Sequence, residues 1–249
     1  MTHLLVPPPS MQAANDVAVP VARRDLSPDE RAEMFALIES HFEGVREDVF
    51  HRDLDAKDWV LRIVRDGALV GFSTLQSYRA MADGRCLNVI YSGDTVVSPE
   101  AWGSPVLARG WIALVRALQT SHPNEPWYWL LLSSGFRTYR FLPVFWREFW
   151  PRHDAETPSD VRALLQELAR DHFGDAYDPT AGVVRFETPQ RLRAHLAAVP
   201  EGKGNDPHVR FFLERNPGHA EGDELVCLTE LGDANLTAAG VRMVRGSSR

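Results

Sequence analysis

Hydrophobic and polar positions along this chain alternate between the two-residue period of strands and the longer period of helices, and the switches between them mark its elements. Val17 to Arg23 reads as a first strand, confined to a sheet edge because Pro20 lacks the N–H that a central ladder needs. Ser27-Pro28-Asp29-Glu30 states a helix start, with Ser27 as N-cap, Pro28 at the first helical position and Glu30 completing a capping box. Met34, Phe35, Leu37, Ile38 and Phe42 follow at helical spacing, and a shorter helix covers Val45 to Leu54. Trp59 to Arg65 and Ala68 to Tyr78 are rich in strand formers and joined by Asp66-Gly67, the dipeptide of a tight hairpin. After a polar loop from Arg79 to Arg85, Cys86 to Val97 forms a third strand of this set, with a bulge at Ser92-Gly93.

Val96 to Leu107 leads that strand through a tight turn into a helix from Pro105 to Thr120. Trp127 to Leu132 is the next strand, so two strands bracket a helix as in a βαβ unit. Gly135 to Trp150 is aromatic and partly helical, broken by Pro143. Phe141, Phe145 and Phe149 recur every four residues, as a buried helical face requires. The interleaved Arg137, Arg140, Arg147 and Arg152 are then its solvated edge, or with the aromatics they bind an anionic ligand. Beyond Pro151, Thr157-Pro158-Ser159-Asp160 starts another helix and Val183 to Phe186 a strand. Thr188-Pro189 starts a helix through Val199, and Pro207 to Arg215 forms a further one. Glu224 to Leu231 is the last clear strand, and 202–206 is an exposed flexible loop.

The 249 residues are 44% hydrophobic, enough for a globular core, and 27 Lys and Arg against 34 Asp and Glu give a net charge of −7. That balance supplies no field for nucleic acid or an anionic membrane. Cys86 and Cys227 sit in apolar runs and do not suggest a disulfide framework. Residues 1 to 16 lack the pattern of a signal peptide and read as a flexible tail, which points to a cytoplasmic protein. The nine histidines form no His-x-x-x-His pair, so no metal site is expected. P-loop, Rossmann and Gly-x-Ser-x-Gly patterns are missing as well.

The order strand, helix, helix, hairpin, strand, turn-to-helix, strand, helix over residues 17–150, with Val97-Ser98-Pro99-Glu100-Ala101-Trp102-Gly103 at the turn and Tyr139 soon after the next strand, resembles the GNAT acyltransferase superfamily. The resemblance implies an α/β (α+β) fold: a mixed, mostly antiparallel sheet flanked by helices, splayed between Cys86 to Val97 and Trp127 to Leu132 so that acyl-CoA lies in the gap. Residues 17–150 would form this core, and 151–249 a helical extension with a late strand that closes the cleft or completes the sheet. The implied activity is direct acyl transfer from acetyl-CoA or another acyl-CoA to a small amine or amino-acid-like substrate, with a homo-oligomer left open. The implied cofactor-binding residues are Val96, Val97, Trp102, Gly103, Ser104 and Arg137.

The turn departs from the family pattern. Trp102 stands where the family carries Arg or Gln, Gly103 keeps the first glycine of Gly-x-Gly, and Pro105 replaces the second, removing an N–H donor. Ser104-Pro105 is also a good N-cap pair whose hydroxyl could satisfy the N–H of Val106 or Leu107 without any ligand. A GNAT-like binding protein without CoA chemistry is therefore the alternative. For the chemistry, Tyr139 is the candidate acid for the leaving thiolate, against a packing residue with a polar tip. Asp94 is the candidate base, against a bulge residue bonding its own backbone. Tyr91, Ser133 and Ser134 are assigned to the substrate.

Overall fold

The computed structural model describes residues 16–82 and 84–246; most of the proposed N-terminal tail lies outside them. Its first half contains β1 (Asp16–Ala22), α1 (Pro28–His41), β2 (Phe42–Glu43), α2 (Glu47–Asp55), β3 (Trp59–Arg65), β4 (Ala68–Ala82) and β5 (Arg85–Val97). There follow α3 (Val106–Gln119), β6 (Trp127–Ser133), α4 (Phe136–Tyr139), α5 (Phe141–Phe145), α6 (Ser159–Phe173), β7 (Tyr177–Asp178), β8 (Val183–Val184) and β9 (Arg191–Leu192). The chain ends in α7 (Ala194–Ala197), α8 (Pro207–Arg215), β10 (Glu224–Glu230) and α9 (Ala238–Gly246).

Eight strands form one sheet in the order β1-β3-β4-β5-β6-β10-β8-β7, and β2 pairs with β9 separately. Every pairing is antiparallel except β5 with β6. This is the mixed, mostly antiparallel sheet flanked by helices that the sequence implies. The late strand, β10, sits inside the sheet beside β6, so residues beyond 151 complete it.

Strand alternation sorts side chains onto two faces. On one, Met34 and Ile38 of α1 and Phe50 and Leu54 of α2 meet Val60, Phe72 and Val96, while Leu165, Leu168 and Ala169 of α6 meet Val89, Leu130 and Val226. On the other, Leu107, Trp111 and Val115 of α3 meet Ile63, Ile90, Trp129, Leu131 and Cys227. The capping box of α1 is present, Ser27 N donating to Glu30 Oε2 at 2.9 Å and Glu30 N to Ser27 Oγ at 3.2 Å. In the β3–β4 hairpin, Asp66 and Gly67 both adopt positive φ, 50° and 85°, as a primed turn requires.

Three expectations need correction. The polar stretch from Arg79 is strand, paired to β5 as far as Ala82 opposite Arg85, because its Arg79 guanidinium is held by Glu125 at 2.9 Å. The segment after Thr188-Pro189 is not one helix: Arg191 and Leu192 pair with Glu43 and Phe42, which leaves only the single turn of α7. Pro105, not Ser104, occupies the N-cap position of α3, and Ser104 Oγ reaches Val106 N only at 3.4 Å.

Gly110 lets α3 lie on the edge of the sheet: a Cβ there would stand 2.5 Å from the Ala18 Cβ of β1 and 3.2 Å from the Leu61 side chain. Alanine is the better helix former by about 1 kcal/mol, yet overpacking costs about 1–3 kcal/mol. Gly110→Ala should thus lower stability by up to about 2 kcal/mol in urea denaturation, where an exposed helical site would gain.

Candidate active site

Parallel pairing of β5 with β6 runs from Asn88 opposite Trp127 to Ser92 opposite Leu131 and ends there. At that point Ser73 faces Thr95 while Leu75 faces Ser92, so Thr74 alone opposes Gly93 and Asp94. This is a bulge, one residue further along than the sequence places it. A bulge bends its strand and increases its twist. Beyond it β5 continues along β4 to Val97, while β6 stays paired with β10 to Ser133. The two strands diverge.

The divergence opens a cavity of about 500 Å³. Thr95, Val96 and Val97 form one wall, Ser134 to Thr138 the other, and Trp102, Ser104, Leu107 and Ala108 the turn side. Leu192, Leu196 and Lys203 cover the mouth. This cover is tied down where Arg193 N donates to the His41 carbonyl at 2.9 Å and the Arg137 guanidinium to that of Leu196. Much of the wall is apolar, but its charged residues are all basic: Arg137, Arg140 and Lys203, with His41 and His219 beside them and no Asp or Glu among the described lining residues. Asp206 offsets Arg140 at 3.1 Å. Arg137 and Lys203 have no such carboxylate partner among the described residues.

Arg137 stands over the Trp102 ring at 4.1 Å and the Phe136 ring at 4.6 Å, and burial lowers its pKa. The indole N–H of Trp102 donates to the Val97 carbonyl at 2.8 Å, so Trp102 fastens the turn and presents Arg137. Ser104 also bonds the Asp16 carboxylate, which Arg65 pairs at 2.6 Å; Arg65 first and Ser104 with it lower the pKa of Asp16. Donating to Asp16 leaves the Ser104 oxygen free to accept, and it does accept the Val106 N–H, at the long distance of 3.4 Å, as the internal-partner alternative expects. His41 Nε2 is buried and has no hydrogen-bond partner among the described residues. A buried polar atom without a partner in a cavity wall calls for an explanation, and a bound water or ligand is one.

Six of the sequence candidates line the cavity: Val96, Val97, Trp102, Ser104, Ser134 and Arg137. Gly103 lies at the turn, with open space where a Cβ would be. Ser133 is fully buried at the end of β6, opposite Leu225. Tyr139 is fully buried too; its hydroxyl donates to the Pro151 carbonyl at 3.0 Å and its ring packs on Phe149 and Phe212. It is off the cavity wall, and burial raises its pKa. This geometry matches the packing alternative and gives the hydroxyl no place on the cavity wall as a thiolate acid.

Asp94 and Tyr91 lie on the face carrying α2 and α6, in surroundings that sequence reasoning missed. Lys57, only 2% exposed, bonds Asp53 Oδ1 at 2.6 Å and stands 5.1 Å from the Tyr91 ring. His172 of α6 packs against Tyr91 with ring centroids 4.3 Å apart and the rings tilted by 55°, and burial pushes its pKa down to about 4. Burial, then the nearby Asp53, raises Asp94 to about 7, with Lys57 opposing. Glu224 is raised to about 8 by burial and by Asp94 and Asp53. A lysine and an aspartate four apart at the end of a short helix look like a surface pair in sequence. Only the fold buries the lysine, with Asp53 at the rim.

No family model matches the chain, and no curated protein matches it. Among solved structures it is similar to a conserved protein of unknown function from Enterococcus faecalis V583, a probable N-acyltransferase, at 14% identity over 63% of this chain and 43% of that one, TM-score 0.41. An acyl-CoA N-acyltransferase from Pseudomonas aeruginosa is 20% identical over 47% of this chain and 79% of that one, TM-score 0.36. A GNAT family N-acetyltransferase from Escherichia coli in complex with CoA is 19% identical over 53% and 67%, TM-score 0.33. All three are described as N-acyltransferases. The chain spans under half the length of the Enterococcus protein, and at TM-scores below 0.5 the likeness to all three carries no weight for activity.

The raised carboxyls fix a pH dependence. Between the free-carboxyl value near 4 and about 7 to 8, the folded protein holds more protons than the unfolded chain, so stability falls as pH rises. Asp94→Asn should flatten that fall. Relief of about 1 kcal/mol would raise Tm at pH 8 by roughly 2–4 °C, with little change at pH 4, in thermal melts across pH.

Proposed function

We propose that this protein is an acyl-CoA-dependent N-acyltransferase that transfers an acyl group directly to a small amine or amino-acid-like substrate. The observation that carries this reading is the cavity between the diverging ends of β5 and β6, whose charged lining is wholly basic in a chain of net charge −7. A basic, partly apolar cleft suits an anionic ligand with an extended uncharged arm. Arg137, Lys203 and His41 fit phosphate groups and the polar atoms near them. The apolar residues Val96, Val97, Leu107 and Phe136 fit the arm, and the helix α3 N-terminus adds a favourable dipole.

Bound acyl-CoA would supply an activated acyl carbon at the thioester. This chain's residues then do three things. Asp94, one residue from the cavity wall, accepts a proton from the substrate ammonium so that the nitrogen lone pair is free to attack. The bulge at Gly93–Asp94 breaks the ladder and leaves backbone N–H capacity available to a developing oxyanion. The cover of Leu192 to Lys203 keeps water off the acyl group. Direct transfer consumes ammonium and thioester and yields amide, thiol and one proton.

A binding protein without CoA chemistry remains the second reading, favoured by the withdrawal of Tyr139 from the cavity and by the proline at the cap of α3. The two part on a simple measurement. A ligand at about 100 times its Kd stabilises the native state by about 2.7 kcal/mol, roughly 5–10 °C for a chain of this size. Acetyl-CoA should raise Tm by that order and acylate an amine acceptor, and Arg137→Ala should weaken CoA binding about tenfold. No shift with acetyl-CoA or longer acyl-CoAs overturns the N-acyltransferase reading; a shift without turnover supports the second.

A further inference from the structure

Asp53, Asp94 and Glu224 reach one crevice from three elements, α2, β5 and β10, on the face covered by α6. Lys57 answers Asp53 at 2.6 Å. Asp94 and Glu224 have no hydrogen-bond partner and no ion pair among the described residues, although both feel the charge of Asp53, Glu224 that of Asp94, and Asp94 that of Lys57. Both are half-buried, and Lys57, already paired with Asp53, is the one cation opposing three carboxyls; such an excess of acid is costly to desolvate and needs an explanation.

A second observation is independent of the carboxylates. Thr74 Oγ1, on a residue 1% exposed, is buried without a partner. It lies 2.9 Å from the place a Gly93 Cβ would take, a point that is 2.6 Å from Lys57 Cε and 3.3 Å from its Nζ. The hydroxyl is therefore aimed into the crevice, beside the one cation already there. The Tyr78 hydroxyl is likewise buried and unpartnered, with its ring 5.4 Å from His172. Tyr91, Tyr78 and His172 make an aromatic wall, the type of surface that attracts ammonium groups.

We propose that this crevice binds a small organic dication, a primary amine bearing a second ammonium group, with one nitrogen at Asp94 and the other at Glu224. The strand β6 separates their strands, two spacings or about 10 Å in the backbone, which calls for a spacer of several bonds between the nitrogens. Each ammonium supplies the missing countercharge, and Thr74 Oγ1 accepts a hydrogen bond that no protein group provides. That the dication is the acyl acceptor rests on the N-acyltransferase reading; that it binds does not.

Binding is linked to protons. Asp94 and Glu224, raised to about 7 and about 8, hold protons at neutral pH that a bound dication displaces, so affinity rises with pH while the amines stay charged. The other titratable groups facing the crevice are Asp53 and Lys57, Tyr78 and Tyr91, and Asp171 and His172 of α6. Burial raises both phenols, and burial with Lys57 lowers His172 to about 4, which places all three outside the pH 6–9 window.

The test is calorimetric titration of the full chain with α,ω-diaminoalkanes of three to six carbons and with 1-aminopentane, at pH 6.5 and 8.5, with and without saturating CoA. Repeating it in buffers of different ionisation enthalpy counts protons. The expected result is at least one diamine bound about tenfold or more tighter than the monoamine, about tenfold tighter at the higher pH, with protons released. Asp94→Asn and Glu224→Gln should each reduce the diamine to the monoamine's affinity. Equal binding of mono- and diamines, no binding in either CoA state, or unchanged affinity in both isosteric variants overturns the proposal. The wild-type comparison stands even if a variant fails to fold. A chain that binds the diamine and not CoA keeps this inference and loses the N-acyltransferase reading; one that binds CoA and no diamine does the reverse.

Discussion

The hydroxyl of Ser92 accepts the indole N–H of Trp129 at 3.0 Å and that of Trp111 at 3.3 Å, at the last residue of β5 that pairs with β6. This buried tie joins three elements, β5, β6 and α3, because the two rings pack at 4.2 Å, tilted by 37°, and Trp146 closes over them. Buried donors left without partners cost about 1–3 kcal/mol each, so the three residues hold one another in register. Immediately beyond, the two-residue bulge turns β5 away. Without a fixed pairing on one side of the bulge, the strands would have no defined point from which to part, and neither the cavity nor the position of Asp94 would be set.

The divergence also divides the charge. On the turn side stand Arg137 and Lys203; on the face covered by α2 and α6 stand Asp53, Asp94 and Glu224 around a single lysine. The overall acidity of the chain hides this separation. Under the proposed function, an anion drawn to one compartment and a cation drawn to the other would meet at the bulge, where Thr95 lines the cavity and Asp94 the crevice. That juxtaposition, rather than any single residue, is the strongest physical argument for a two-substrate transfer.

Much of the fold was legible in the sequence because it is written in local signals. Ser27 and Glu30 cap α1, Asp66-Gly67 turns the hairpin, and the alternation from Cys86 to Val97 and from Trp127 onward marks the two strands that diverge. The cavity lining was legible where it depends on the turn itself, as with Val96, Val97, Trp102, Ser104 and Arg137. It failed where distant elements decide. Tyr139 is close in sequence to the strand end, but the aromatic packing of Phe149 and Phe212 draws it into the core. Lys57, His172 and Glu224 come from three separate parts of the chain, the α2–β3 connection, α6 and β10, that only the completed sheet assembles, and no spacing in the sequence reports that meeting. Thr188-Pro189 has the chemistry of a helix start, yet pairing with Phe42 and Glu43 proved stronger.

Hydrogen–deuterium exchange of the whole chain with and without CoA tests the central claim, that the opening between β5 and β6 is the acyl-CoA site. The account predicts protection concentrated in 95–108, 134–138 and 192–203, the three segments that line the cavity and its cover. Protection confined to other segments, or none at saturating CoA, would contradict it.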